Sequence, residues 1–239
     1  MDCRLFNAGN THVQIADLCD GTIHPVATVP TPDFHPEEFV VPEMAAACVV
    51  PSLEEKMRRA GALIVSADSA RGPVDLSCMR KPETLGADRL ANAAALILTG
   101  PLPALCVDFG TAINLEFVDS QHRMRGGAIL PGRLLLRRSL HDYTAKLPLT
   151  ELPPAIPDFP GNNTVDAIDL GVDAGALGAV RELLARMERT FPDKPIRRVA
   201  CGGDAAFFLR EISGFEAVDD TFTLRGIAFI WECEKNRFR

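Results

Sequence analysis

Two segments, one in each half of the chain, follow a single plan. Asn7-Ala8-Gly9-Asn10-Thr11 and Asp108-Phe109-Gly110-Thr111-Ala112 each end an apolar run on a polar side chain, turn at glycine, and enter a second apolar run. Glycine at such a turn permits positive φ and lets backbone amides approach an anion closely. A single copy would be explained by any tight hairpin, which favours glycine for its own geometry. Two copies in the same context imply a chain built from two similar halves, and this restricts the architecture to a duplicated unit.

The flanking pattern repeats with them. Residues 3–6 and 12–18 alternate as strands, and Asp20-Gly21 turns the second strand into a third over 23–29. Strand patterns over 105–108, 113–118 and 124–130 restate that order in the second half. Elsewhere the spacing predicts a helix over 37–46, a short buried strand over 47–50, a helix over 52–59 capped by Ser52 with Glu55 three residues on, and a strand over 63–65. The polar stretch 66–84 reads as the passage between halves. Helices are expected over 88–98, 134–146, 165–190, 205–211 and 224–235, with a strand over 196–200. The sum is an α/β protein with mixed sheets and helices against them. We expect units at 1–100 and 101–222, with a last helix, 223–239, returning to the first unit.

Composition narrows the function. A net charge of -7 argues against a nucleic-acid surface, which needs clustered Lys and Arg. The seven cysteines are scattered without a C-x-x-C pair and read as reduced core residues, and the five histidines form no metal-ligand spacing. The most apolar stretch, 90–107, is interrupted by Asn92, Gly100, Pro101 and Pro103 before it could span a bilayer. A cytoplasmic protein without a membrane partner is expected.

Several side chains could carry chemistry. Asp108 ends a buried strand, where a carboxylate needs a cation or hydrogen-bond donors; a metal ion would satisfy it, and so would the amides of its own turn. Glu116 on the next strand either backs the site or faces solvent. Asp88 and Arg89 follow Gly86 at a helix start: the carboxylate could take a hydroxyl proton or simply cap the helix, and the guanidinium could hold a substrate carboxylate through two parallel bonds. The run from Gly126 to Gly132 could line a pocket or mark a bulge. Arg133 and Arg137, four apart, are expected on a solvated helix face. Gly202-Gly203 sits at a strand-to-helix corner suited to an anionic or nucleotide ligand.

Taken in order, the two turns, Val49-Val50-Pro51, Gly86-Ala87-Asp88-Arg89, Gly126 to Gly132, Thr144 to Pro148, Asn163-Thr164 and Gly202-Gly203-Asp204 resemble a type III pantothenate kinase, one of the acetate and sugar kinase and actin superfamily. The resemblance covers nearly all of the chain. It implies two ribonuclease-H-like (actin-like) domains with ATP between them, a homodimer, and the first step of coenzyme A synthesis. Asp88 would activate the pantothenate hydroxyl and Arg89, beside Gly86, would hold its carboxylate. Gly9, Asn10 and Thr11 would cradle the triphosphate, Gly110 and Thr111 would line the phosphate cleft, and Gly202 and Gly203 would border the nucleoside. Asp108 would serve the cation site, and Thr164 would face the pantothenate of the partner subunit. Mg²⁺ and a monovalent cation, K⁺ or NH4⁺, are the implied cofactors. Asn7 stands where the family has an Asp that helps hold hydrated Mg²⁺, and Ile113, Asn114 and Glu116 stand where it usually has Thr, Thr and Asp. Beside the active kinase stand two alternatives: a homologue that binds nucleotide or pantothenate without turnover, and a kinase of another small hydroxy acid.

Overall fold

Strands β1 (Cys3–Ala8), β2 (His12–Cys19), β3 (Thr22–Pro30), β4 (Met44–Cys48) and β5 (Leu63–Ile64) form one sheet in the order β3-β2-β1-β4-β5. Strands β6 (Ala104–Phe109), β7 (Ala112–Val118), β8 (Met124–Pro131), β9 (Arg197–Cys201) and β10 (Glu216–Ala217) form a second in the order β8-β7-β6-β9-β10. In each sheet the first three strands are antiparallel neighbours and the last two join in parallel, so the sheets correspond strand for strand. This computed structural model describes residues 1–192, 195–217 and 220–237.

The registers set up the site. Asn7, near the end of β1, lies opposite Gln14 of β2, and Asp108, near the end of β6, lies opposite Asn114 of β7. The turns between them differ by one residue. Gly9 donates its amide to the carbonyl of His12 across Asn10 and Thr11, whereas Gly110 donates to that of Ala112 across Thr111 alone. Neither turn glycine has positive φ. A Cβ on either would meet the facing carbonyl at 3.4 Å, so these glycines serve to leave backbone uncovered beside the cleft.

Three apolar clusters surround the sheets. The central one joins the facing sides of both sheets through helices α3 (Ala87–Thr99) and α7 (Phe222–Arg237), and the others lie on the outer faces. Helix α1 (Pro51–Arg59) covers the first sheet outside, and α5 (Thr164–Thr190) with α6 (Ala205–Glu211) covers the second. Helices α3 and α7 approach so closely that a Cβ on Gly226 would lie 1.8 Å from the carbonyl oxygen of Ala91. Helix α7 also packs on β1 and β4. Among the described residues no helix is long and apolar enough to cross a membrane.

Some local expectations fail for physical reasons. Residues 37–46 are not a helix: a 3-10 turn at Pro36–Phe39 precedes β4, whose sequence Met-Ala-Ala-Ala-Cys is buried throughout. Alanine favours a helix in isolation, yet in a central parallel strand its small side chain admits packing on both faces. Helix α1 starts at Pro51, with Val50 at its N-cap and no capping side chain, so Ser52 lies inside the first turn. Residues 66–84 carry the short helix α2 (Ala67–Ala70) and reach the second sheet at Asp75, which pairs with Arg123, but α3 intervenes before β6 begins. Helix α4 (Arg133–Asp142) stops short of residue 146. The cysteines are free thiols, and Cys78 is exposed instead of lying in the core.

Candidate active site

A cleft of about 420 Å³ opens where the two sheets face each other. Its two lips are the matched turns, with Gly9, Asn10 and Thr11 on one side and Gly110 and Thr111 on the other. The lips touch: the hydroxyls of Thr11 and Thr111 lie 2.9 Å apart. Asn7, Asp88 and Asp108 line the interior, as do Gly202 and Gly203. Ten of the thirteen residues expected at a site thus border one cavity. Gly86 and Arg89 lie behind Asp88 outside its lining, and Thr164 sits exposed at the start of α5.

Each polar group is held by its own neighbours. The Asn7 amide donates to Gln14 Oε1 at 3.0 Å, leaving Asn7 Oδ1 without a partner among the described residues. Asp88 Oδ1 accepts the backbone amide of Arg89 at 2.8 Å, while Oδ2 has only Asn114 Nδ2 at 3.5 Å. Asp108 Oδ2 accepts from Asn92 Nδ2 at 3.4 Å, and Thr223 of α7 donates to Asn92 Oδ1 at 2.8 Å, which ties α7 to the cleft floor. Burial raises Asp88 above the ordinary aspartate range. Burial, reinforced by the Asp88 charge, raises Asp108 to about 6. Two desolvated carboxylates in one cavity, with few donors between them, favour a cation or a proton there.

Gly202 completes this floor and needs to be glycine. Its φ is +91°, and a Cβ would lie 2.4 Å from Asp108 Oδ1 and 2.6 Å from the carbonyl oxygen of Phe109. The neighbouring Asp204 donates its amide to that same carbonyl at 2.9 Å, so the glycine corner is stitched to the end of β6.

Similarity to known proteins coincides with this geometry. A family model described as type III pantothenate kinase matches residues 5–186, three quarters of the chain and both turns. The chain belongs to the type III pantothenate kinase family. A type III pantothenate kinase of Rhodospirillum rubrum is 35% identical over 154 residues, covering 64% of this chain and 58% of that protein. One of Akkermansia muciniphila is 38% identical over 146 residues, covering 61% and 60%. The matched part therefore spans about three fifths of the length of these relatives. Among solved structures, a conserved Campylobacter jejuni protein assigned to the Baf family of transcriptional activators superposes with a TM-score of 0.67 at 18% identity, covering 98% of this chain and 99% of that one. The ethanolamine utilization protein EutJ of Carboxydothermus hydrogenoformans gives 0.54 at 15% identity, covering 95% and 89%. With the strand-for-strand match of the two sheets, these likenesses show a duplicated actin-like α/β fold.

Within this pantothenate kinase family fold, Asp88 is placed by a glycine. A Cβ at Gly86 would lie 2.6 Å from Asp88 Oδ1, so Gly86→Ala must push the carboxylate aside while leaving α3 intact. Restoring an ordinary contact moves the oxygen by roughly 1 Å, and a misplacement of about 1 Å can cost about 10²-fold in reactions that depend on positioning. We expect Gly86→Ala to lower kcat by roughly that factor with an unchanged melting temperature, measured by steady-state kinetics beside thermal unfolding.

Two side chains behave differently from their expectation. Arg133 and Arg137 of α4 do not form a solvated face: they are 2% and 0% exposed. Arg133 binds both carboxylate oxygens of Asp173 at 2.8 and 2.9 Å, Asp204 at 2.9 Å and the Pro153 carbonyl at 2.8 Å, and its guanidinium carbon stacks 3.3 Å from the centre of the Phe207 ring. Arg137 meets Asp169 at 3.1 Å, Asp173 at 2.9 Å and Thr150 at 3.1 Å. Four-residue spacing puts Asp169 and Asp173 on one face of α5, opposite the arginines, and the pattern Arg-x-x-x-Arg with Asp-x-x-x-Asp was the signal available in sequence. Asn92 was also missed as a site residue, although a lone amide in an alanine-rich helix, four residues after Asp88, marks the same face.

Proposed function

We propose that the protein phosphorylates pantothenate with ATP, the first step of coenzyme A synthesis. The observation that carries this reading is the desolvated Asp88, its Oδ2 held only loosely, at the floor of a cleft lipped by two glycine turns. Asp88 takes the proton of the acceptor hydroxyl as its oxygen attacks the γ-phosphorus. A new P–O bond forms, the bridging P–O bond to the β-phosphate breaks, and ADP leaves. The upward shift at Asp88 makes it a stronger base than an exposed aspartate. Gly9, Asn10, Thr11, Gly110 and Thr111 present amides and hydroxyls to the phosphates, and Gly202 and Gly203 border the nucleoside.

Asp108 fits a cation, because Oδ1 has no hydrogen-bond partner among the described residues and its carboxylate is desolvated. Asn7 Oδ1 faces the same cleft as a neutral acceptor. Bound Mg²⁺ would neutralise phosphate charge in the transition state. A monovalent K⁺ or NH4⁺ remains part of the proposal on family resemblance alone. The direct test is mass spectrometry after incubation with ATP, Mg²⁺, K⁺ and pantothenate: phosphopantothenate supports the reading, and a phosphorylated product only with another hydroxy acid overturns it.

We further propose units at 1–100 and 101–222 and a homodimer built on the α4–α5 side. Of the eleven large exposed apolar side chains among the described residues, seven (Ile129, Leu135, Tyr143, Leu149, Leu152, Phe159 and Val165) fall within 129–165. Thr164 lies beside them and would reach the partner's substrate. Light scattering should give a dimer mass for the wild type and a monomer mass for Tyr143→Asp with Phe159→Asp.

A further inference from the structure

Behind Asp88, the side chain of Arg89 makes one hydrogen bond among the described residues, from Nε to Glu116 Oε1 at 2.8 Å. Glu116 is 0% exposed, and its second oxygen, Oε2, is sealed from solvent without a partner. The two Nη nitrogens of Arg89 make no hydrogen bond among the described residues and are not sealed off. Across the sheet Glu116 pairs with Gly127 of β8, and a Cβ on that glycine would lie 3.3 Å from Arg89 Nη2. That Cβ would also overlap the Leu115 carbonyl oxygen at 1.5 Å, so only glycine lets β8 pass this close to β7, and the guanidinium faces bare backbone on that side.

We propose that Glu116 is a positioning residue that anchors Arg89 by its Nε edge and presents the Nη edge to the carboxylate of an acid substrate, which makes it a determinant of acid recognition. The inference rests on the proposed acid substrate. A guanidinium has five donors in a rigid fork, so fixing one edge aims the other. The guanidinium stays charged throughout, and the pair is net positive only while its carboxyl is protonated. The groups facing Glu116 are Arg89 and Asp88 from α3, Asp108 and the Cys106 thiol from β6, and the Cys201 thiol from β9; β8 contributes only Gly127 opposite it. Burial, only partly opposed by Arg89, raises Glu116 to about 8. Below that pH the pair carries the Arg89 charge. Above it, ionised Glu116 cancels the charge, and affinity for an anionic ligand falls.

The test is pantothenate binding by calorimetry between pH 6.5 and 9.5, in the presence of a non-hydrolysable ATP analogue. For the wild type the dissociation constant should rise about tenfold across this range, the equivalent of one pKa unit of coupling. Glu116→Gln keeps an acceptor for Nε but cannot ionise, so it should bind as the wild type at pH 6.5 and stay flat to pH 9.5. Glu116→Ala loses the anchor and should bind weakly throughout. A wild-type pH profile in Glu116→Gln, or wild-type affinity in Glu116→Ala, would overturn the assignment. The anchor is also read without ligand by carbon-13 NMR of labelled glutamate carboxyls: Arg89→Met should raise the Glu116 titration, and an unmoved titration contradicts the pairing. Failure of the wild type to bind pantothenate at any pH, with that shift present, overturns the acid substrate and leaves the anchor standing.

Discussion

Asp88→Asn is expected to reduce turnover by about 10²–10⁴-fold, the usual contribution of a positioned base, while ATP binding changes little. The asparagine keeps the size of the side chain and can still accept the Arg89 amide that Asp88 Oδ1 accepts at 2.8 Å. It cannot take a proton from the acceptor hydroxyl. It also removes the charge that helps raise Asp108, so the Asp108 carboxyl should titrate lower in the variant than its value of about 6. Steady-state kinetics with nucleotide titration separates the two effects. Loss of ATP binding in parallel with turnover would mean that Asp88 holds the fold or the nucleotide and is not the base.

The largest expected effect on stability comes from the buried arginine network. Arg137→Met should destabilise the protein by about 3–5 kcal/mol, the range for removing one partner of a buried pair, which corresponds to roughly 6–20 °C in Tm for a chain of this size. The methionine fills the space, but Asp169, which Arg137 approaches at 3.1 Å, keeps only the Thr150 hydroxyl at 2.6 Å. Asp173 retains both bonds to Arg133. Adding Asp169→Leu should therefore recover most of the loss, since buried pairs replaced by apolar groups are often neutral. Thermal unfolding of the single and double variants measures this. A single variant within about 1 kcal/mol of the wild type, the value of an exposed pair, would contradict the buried geometry.

Sequence carried the fold because duplication leaves a doubled pattern: polar residue, glycine turn and three strands occur twice, and both sheets form as that pattern requires. It carried the cleft lining for the same reason, since the turn residues face each other across one cavity. It failed where burial depends on a distant element. The alanines of β4 favour a helix locally and become a strand because helices and β1 cover them. Arg133 and Arg137 match a solvated face by spacing alone, and the carboxylates of α5, more than 30 residues on, together with Asp204, take them inside. Glu116 was left open between a backing and an exposed role, and the partner that decides it lies 27 residues away on α3.

The central claim is that this cleft transfers phosphate to pantothenate with a neutral Asn7 on its phosphate wall. The most direct measurement is pantothenate-dependent ADP release by the wild type beside Asn7→Asp, across a range of Mg²⁺ concentrations. Gln14 can turn its amide to donate to the new carboxylate in place of accepting from Asn7 at 3.0 Å, so the variant should fold normally. We expect turnover from both proteins, with the added charge lowering the Mg²⁺ needed for half-saturation about tenfold, equivalent to ~1.4 kcal/mol, and kcat rising by less than that factor. A silent wild type beside an active Asn7→Asp variant would contradict the claim and make the natural protein a ligand-binding member of its family.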